Sequence, residues 1–473
     1  MTSRCLLILP SLLLVALPIV GGCAAESAFE PRPISFEPRD SEPAAPTPSG
    51  GANAGGTFPT GPLSLREALA AALLHNPRLQ AASYGPRVAE ARILQAGQRP
   101  NPEVEFGVEG FGGDGELEGF GGAETTLSLG QTIELGGKRQ RRVEAAEAGL
   151  SVARTEYEAA RLEVMTETTL LYVAAVELRR RIEVAEGVLA LAEEAADVAR
   201  RRVEAGDVAP TDRTRARLLT SSARIEVDRL RRRLVVARRE LAAMWGATEP
   251  TFGPLTSGFD AVREVPALAE LDARLDDHPR LRLAAAEVER LRAVADLERS
   301  RGVPDVTVGA GVQYKGEVDE PGLVAGVSIP LPLFDRNQGN ALAARLEAVR
   351  AVSDRQATRV ELSTRLARAH GDLEVAYHEA RAVESDLLPA AEQAFDAVRR
   401  AYGEGKEPYL AVLEAQRSLT EARARLVEAV SDYHRARAEV EGLVAAPLDG
   451  SLDDPLPTTS PAVPTSSTQG NRP

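Results

Sequence analysis

The chain has 473 residues and a formal net charge of −14, which excludes the basic face that a nucleic-acid binder presents to phosphates. Hydrophobic residues are 44% of the chain but aromatic residues only 4%, a composition that points to long helices with thin small-residue seams rather than a thick globular core. The length would hold two or three ordinary domains or one elongated one, and the composition favours the elongated one.

At the N-terminus, Arg4 precedes an apolar run from Cys5 to Val20. The run is too short for a spanning helix and reads as a secretion signal over residues 1–22. Val20-Gly21-Gly22-Cys23 resembles a bacterial lipoprotein cleavage site, which implies that Cys23 becomes the lipidated first residue of the mature chain. Ala24 stands where many inner-membrane lipoproteins carry aspartate, which points to the outer membrane. With Cys5 removed and Cys23 acylated, no thiol remains for a disulfide or a nucleophile. Residues 23–62 and 446–473 are rich in Pro, Gly, Ser and Ala or Thr and read as a disordered linker and tail.

Between them the chain repeats itself. Pro77 of HNPRLQAA recurs as Pro279 of DHPRLRLAA, and Pro102 as Pro304, both at a spacing of 202. Ser128 recurs as Ser328 at 200, and Gly206 as Gly405 at 199. Four landmarks in one order define an internal duplication, with repeats over 63–246 and 266–445 and a connector at 247–265. Each Pro-Arg-Leu predicts a helix that starts or restarts at the proline, and His75 and His278 read as a duplicated helix-shaping position beside it.

Each repeat then predicts two strands, about 102–110 and 124–135 in the first and 304–315 and 321–331 in the second. In EVEFGVE, Val104, Phe106 and Val108 oppose Glu103, Glu105 and Glu109. Leu127, Leu129, Ile133 and Leu135 alternate likewise with Thr126, Ser128, Thr132 and Glu134. Val306, Val308, Ala310, Val312 and Tyr314, then Leu323, Ala325, Val327, Ile329 and Leu331, repeat the pattern. Such runs have the length and period of transmembrane strands; taken alone, they would equally suit soluble hairpins over a core. The Gly-rich EGFGGDGELEGFGGAE between the first pair suits an external loop and lacks the spacing of a phosphate loop.

Long helices follow, over 137–204 and 211–245 and again over 339–402 and 408–443. From Ala146 an alternating three-four apolar seam runs through Leu150, Ala153, Tyr157, Ala160, Val164, Leu171, Ala174 and Leu178, interrupted by Glu167, and resumes after a stutter at Ile182. A second seam, including Leu219, Val227, Leu230 and Leu241, follows the turn. The first rod would be about 100 Å long. Four strands cannot close a barrel, and an open edge in lipid leaves backbone groups unsatisfied, so a membrane role requires several copies: two give eight strands and three give twelve.

These residues resemble the TolC family of outer-membrane efflux factors over about 63–445. LSLREALAAALLHNPRLQAA, the doubled strand pairs and the turns VEAGDVAPTD and YGEGKEPYLAVLEAQRSL carry the resemblance. QAGQRPNPEVEFGVE and AETTLSLGQTIELGGKRQRR are similar to the CzcC-like branch, which serves heavy-metal efflux. The resemblance implies a mainly α chain with a small β part, assembling as a homotrimer. A coiled-coil helical barrel would continue a transmembrane β-barrel completed by trimerisation. It further implies a periplasmic adaptor protein and an inner-membrane pump of the RND type as partners, outer-membrane lipid around the strands, and no cofactor.

By motif, the resemblance places Ala205, Gly206, Asp207, Val208, Thr211 and Asp212 in one periplasmic tip and Tyr402, Gly405, Lys406 and Glu407 in the other, where the adaptor docks. Thr211, Asp212 and Tyr402 match a network that closes the tube. The arginine of the founding type is Glu407 here, so that latch does not carry over. Of two pore-entrance aspartates, one position is Ala411 and the other Glu414, a candidate cation-attracting gate.

An enzyme is not expected. His75, His278, His370, His378 and His434 form no ligand spacing, and His378-Glu379 lacks the second histidine of H-E-x-x-H. Scattered histidine and scarce Cys and Met suit a duct that does not hold a metal tightly. The expectation is an exit duct of tripartite efflux for divalent heavy metals, the alternatives being a multidrug duct and a non-conducting periplasmic coiled-coil scaffold.

Overall fold

Ser64 caps α1 (Leu65–His75). Its Oγ accepts the Glu67 N–H, and the Glu67 carboxylate accepts the Ser64 N–H at 2.8 Å. A computed structural model of the chain describes residues 58–113, 119–120, 122–206, 209–256, 261–316, 320–404 and 406–448. The signal segment, Cys23, most of the linker, Asp207, Val208, Gly405 and the tail after 448 lie outside the described residues.

Pro77 cannot continue α1, and the chain turns extended at Asn76. The Asn76 side chain then starts α2 (Pro77–Ala82): its Oδ1 accepts the N–H groups of Arg78 and Leu79, while its Nδ2 donates to the Met244 carbonyl at 2.8 Å. The same device opens α7 (Pro279–Ser300), where His278 Nδ1 accepts the Arg280 N–H at 3.1 Å and the ring also bonds the Gly442 carbonyl. Both prolines are therefore restarts at position N1. The duplicated capping position is Asn76 and His278, not His75 and His278; His75 ends α1 and lies edge-on to Phe58.

In chain order, α3 (Tyr84–Ala96) leads into β1 (Glu103–Glu109) and β2 (Glu124–Ile133), then α4 (Lys138–Glu204) and α5 (Pro210–Ala243). The second half runs α6 (Leu268–Ala273), a 3-10 turn, α7, β3 (Val306–Lys315), β4 (Glu320–Ser328), α8 (Gln338–Ala382), α9 (Leu388–Gly403) and α10 (Tyr409–Val444). α4 is one unbroken helix of 67 residues, about 100 Å long. Its counterpart is not continuous: a π turn over Val383–Leu387 separates α8 from α9. Pro389 explains it, because a proline ring clashes with the carbonyl four residues back and removes one N–H from the ladder.

Each half has its own core at mid-height of the long helices. In the first, Leu63, Ala68, Leu79, Val164, Tyr172, Val176, Leu241, Trp245 and Phe252 pack together. In the second, Leu271, Leu275, Leu281, Leu362, Leu366, Leu373, Tyr433 and Val440 do so. Around Leu171 the buried stripe of α4 runs one position over from the seam expected: Thr168, Tyr172 and Ala175 are buried, and Leu171 and Leu178 are partly buried. Glu167, which interrupts the apolar pattern, is ion-paired with Arg78 of the first Pro-Arg-Leu.

The linker and connector boundaries also move. Leu63 pairs with Leu255 in a parallel bridge, Gly253 N–H donates to the Gly61 carbonyl at 2.8 Å, and Phe58 packs on the core. The Tyr172 hydroxyl sits between the Leu63 and Thr256 carbonyls at 2.8 and 2.6 Å, and burial pushes its pKa up, so it remains a donor. Residues 58–62 and 247–256 thus form a strap on the first core. Val262 and Val265, with Ala446 and Leu448 from the start of the tail, pack on the second. Tyr433 takes the role of Tyr172 there, exchanging bonds with the Arg263 N–H and carbonyl.

Candidate functional site

The four strands form a single antiparallel sheet in the order β1-β2-β3-β4. Its registers sort the side chains into rows. One face carries Phe106–Leu127–Val312–Leu323, flanked by Val104–Leu129–Ala310–Ala325 and Val108–Thr125–Tyr314–Pro321. The other carries Glu103–Gly130–Gly309–Gly326, Glu105–Ser128–Gly311–Val324 and Gly107–Thr126–Gln313–Gly322. The alternation read from each strand therefore coincides across all four.

No described helix covers the apolar face. Phe106, Leu127, Leu129, Val312 and Val327 are exposed, and Leu323 is 90% exposed. A large apolar side chain is worth about 1.5–3 kcal/mol when fully buried. Ten of them on this face would forfeit roughly ten kcal/mol or more in water, comparable to the whole margin of a folded domain. Another apolar phase must cover it. β2, β3 and β4, at nine to ten residues, have the reach of a bilayer span, and β1, at seven, is shorter. No helix among the described residues is long and apolar enough to cross a membrane. β1 and β4 each have one edge without a strand neighbour among the described residues.

The polar face is thin by construction. A Cβ on Gly311 would lie 2.4 Å from the Leu127 carbonyl oxygen, so only glycine fits there. Lys315 pairs with Glu124 at 3.2 Å, and Gln313 Nε2 donates to the same carboxylate. Glu103, Glu105 and Glu109 are exposed, with no cationic partner among the described residues.

At the helical end of the sheet all four strand–helix junctions are clasped together. Lys138 pairs with Asp305 at 2.7 Å, and the same carboxylate accepts the Leu135 N–H. Arg142 pairs with Glu134 and donates to the carbonyls of Ala96 and Gln98. Asn337 Nδ2 donates to the backbone and carboxylate of Glu298. β2 and β4 run in the same direction, so α4 and α8 leave the sheet from one end.

The hairpin turns that follow are the predicted tips. Ala205 caps α4, Gly206 takes φ +81, and Pro210 opens α5. Thr211 and Asp212 fall in the first turn of α5, and the Asp212 carboxylate lies 3.8 Å from Arg215. In the other turn Tyr402 is in the last turn of α9, and Lys406 pairs with Glu404 at 2.6 Å. Glu407 and Glu414 are exposed without an ion-pair partner among the described residues. The two hairpins lie side by side: Arg435 of α10 pairs with Glu177 of α4 at 2.8 Å, and a groove of about 730 Å³ between α4 and α9–α10 holds Val188, Leu191, Phe395 and Leu419. On α8, Leu342, Leu346 and Val349 form an uncovered three-four stripe, and Leu219, expected in a seam of α5, is likewise exposed.

Among the described residues no group of three or more His, Cys, Asp and Glu side chains could hold a metal ion. The sequence reading missed the π turn, for which Pro389 was the available signal, and the cap shared by Asn76 and His278, for which Asn-Pro at the first of the two helix starts was the signal.

Comparison with known proteins follows this geometry. The profile of the family described as "Outer membrane efflux protein" matches residues 68–247 and 271–446, one segment in each half. The cobalt-zinc-cadmium resistance protein CzcC of Cupriavidus metallidurans is 34% identical over 384 residues, covering 81% of this chain and 90% of that one. The nickel and cobalt resistance protein CnrC of the same organism is 32% identical, covering 63% and 69%. Among solved structures, CusC, studied for folding and transmembrane channel formation, aligns with a TM-score of 0.67 at 16% identity over 81% of this chain and 92% of its own. The open-state outer membrane channel MtrE of Neisseria gonorrhoeae aligns at 0.66 and 19%, over 84% and 94%. At these identities the two structures show the fold.

Proposed function

The chain belongs to the outer membrane efflux protein family, and from that premise we propose that it is the exit duct of a tripartite efflux system. Three copies would close a twelve-stranded barrel in the outer membrane and continue it as a helical tube through the periplasm. The observation that carries this reading is the sheet: three aligned, mainly apolar rows face outward, and two strand edges are left open. The uncovered stripe on α8 supports the same assembly, because it gives each copy a seam to bury against a neighbour.

The cargo proposed is divalent heavy-metal cations. The support is the identity to CzcC and CnrC, whose names record cobalt, zinc, cadmium and nickel resistance. The duct would have no catalytic residues; energy would come from an inner-membrane RND-type pump reached through a periplasmic adaptor. Ala205, Gly206, Thr211, Asp212, Tyr402, Lys406 and Glu407, with Asp207, Val208 and Gly405 of the same turns, would meet the adaptor. Glu414, exposed and unpaired within the described chain, would ring the pore three times. Cys23 would carry the lipid anchor.

Planar-bilayer recording of the purified trimer tests the duct. Discrete conductance is expected, and a silent trimer would support the scaffold reading instead. Cargo is tested by a deletion strain: lost zinc, cobalt or cadmium tolerance is expected, whereas raised drug sensitivity with normal metal tolerance would assign the duct to multidrug efflux. Palmitate labelling that survives Cys23→Ala would overturn the anchor.

A further inference from the structure

The two hairpins share one register. Glu105 pairs with Ser128 and Thr307 with Ser328, so the spacings of 202 and 200 seen in the sequence are also the spacings of the paired residues. Between them, β2 and β3 pair over ten residues, from Glu124↔Lys315 to Ile133↔Val306. In a closed ring of such halves, the joint between β4 and the β1 of the next copy is the pseudo-symmetric equivalent of this internal joint.

We propose that the internal joint sets the register of the joint between subunits. Moving Ile133↔Val306 forward by 200 on one strand and back by 202 on the other places Leu333 opposite Val104 of the next copy. Likewise Leu331 falls opposite Phe106, Ile329 opposite Val108, and Ser328 opposite Glu109. The inference rests on the multi-copy duct reading above and fixes which residues meet in it.

Three observations converge on this register. First, in the single chain β4 stops at Ser328, yet Ile329, Leu331 and Leu333 continue the outward apolar alternation and are exposed. Gln131, Thr132 and Ile133, the counterparts of residues 331–333, pair with β3 but not with β1, so residues 331–333 lack a partner because the next copy supplies it. Second, the pairing is apolar on apolar along the outward face. Third, the prolines fit. Gly316 N–H donates to the Ala123 carbonyl at 3.0 Å, which makes the odd-numbered residues of β2 the ones bonded to β3. By equivalence, Ile329, Leu331 and Leu333 donate to the next copy. Pro330 and Pro332 fall at the positions whose missing N–H would point the other way, past the end of β3. The Leu333 N–H, turned back on the Leu331 carbonyl at 2.8 Å in the single chain, is released as the ladder forms.

Paired cysteines test the register in the full-length protein. Directly opposite residues lie within disulfide reach, whereas a slip of two residues moves them out of it. Leu331→Cys with Phe106→Cys, and Ser328→Cys with Glu109→Cys, should give covalent dimers and trimers on mild oxidation. Leu331→Cys with Val104→Cys, and every single variant, should give no covalent oligomer. Cross-linking by the slipped pair instead of the matched pairs overturns the register. Native mass spectrometry of the unoxidised variants separates the two readings. A conducting trimer without the predicted disulfides sinks this inference alone, and the absence of any trimer sinks both.

Discussion

His278 makes the start of α7 acid-sensitive, whereas the start of α2, capped by Asn76, carries no titratable cap. The side chain is buried, accepts the Arg280 N–H through Nδ1 and bonds the Gly442 carbonyl, which requires the neutral ring with its proton on Nε2. Burial pushes its pKa below the ordinary histidine value, the nearby charges of Arg280 and Arg365 push it further down, and the bond to Gly442 offsets part of this. A histidine with a lowered folded pKa binds protons more readily when unfolded. The stability it contributes is therefore complete above the unfolded value near 6.5 and is lost as pH falls below it. Protonation also removes the acceptor that caps α7.

His278→Ala deletes a helix cap and strands a half-buried carbonyl, together about 2–3 kcal/mol. That corresponds to roughly 30–150-fold faster local opening. Hydrogen–deuterium exchange at the first turn of α7, compared with the first turn of α2, reads it directly. Between pH 7 and 5, corrected protection at Arg280 and Leu281 should fall in the wild type while Arg78 and Leu79, capped by Asn76, hold steady. His278→Asn should restore most of the protection and remove the pH dependence, since asparagine does the same work at position 76. Parallel loss in both helices, or an undiminished pH slope in His278→Asn, would refute the reasoning.

Gly311→Val should prevent assembly, because a Cβ there meets backbone of β2; heat-modifiable mobility of the outer-membrane fraction would show loss of the trimer. Val327→Arg on the apolar face should cost about 2–4 kcal/mol of membrane stability and sharply lower the assembled fraction, while Thr126→Arg on the polar face should assemble; equal behaviour of the two would mean that neither face meets lipid. Asp272 is held below the usual carboxylate range by Arg359 and Ser363. Asp272→Asn should cost about 1 kcal/mol at neutral pH, seen as weaker exchange protection of α6, and the difference from wild type should vanish as pH falls through the aspartate's lowered pKa.

The sheet is the most legible part of the chain because a strand writes its two faces in a period of two, and the apolar positions keep that period through all four strands. The duplication is legible for the same reason, since equal spacings survive as equal registers. What sequence does not display is contact between distant segments. Nothing local to Phe58 or Gly253 announces that they form a strap, and Leu63 meets the distant Leu255 only within the folded first core. The displaced stripe of α4 has a similar cause: Leu171 and Tyr172 both fit an apolar face, and the carbonyls of Leu63 and Thr256 decide for the tyrosine. Pro389 was visible, but a proline shows that a helix must yield, not whether it bends, breaks or widens into a π turn. The tip residues are legible as turns. Their roles are not, because those depend on chains beyond this one.

The level of the sheet at Glu103 has a consequence for how such a protein diverges. Its other three positions, Gly130, Gly309 and Gly326, carry no side chain. In a closed ring the character of the passage there would be written by one codon and repeated with every copy. A single nucleotide change from glutamate to lysine would reverse the sign of the charge at that level without touching a packed residue. Selection on what passes can therefore act there almost independently of selection on folding.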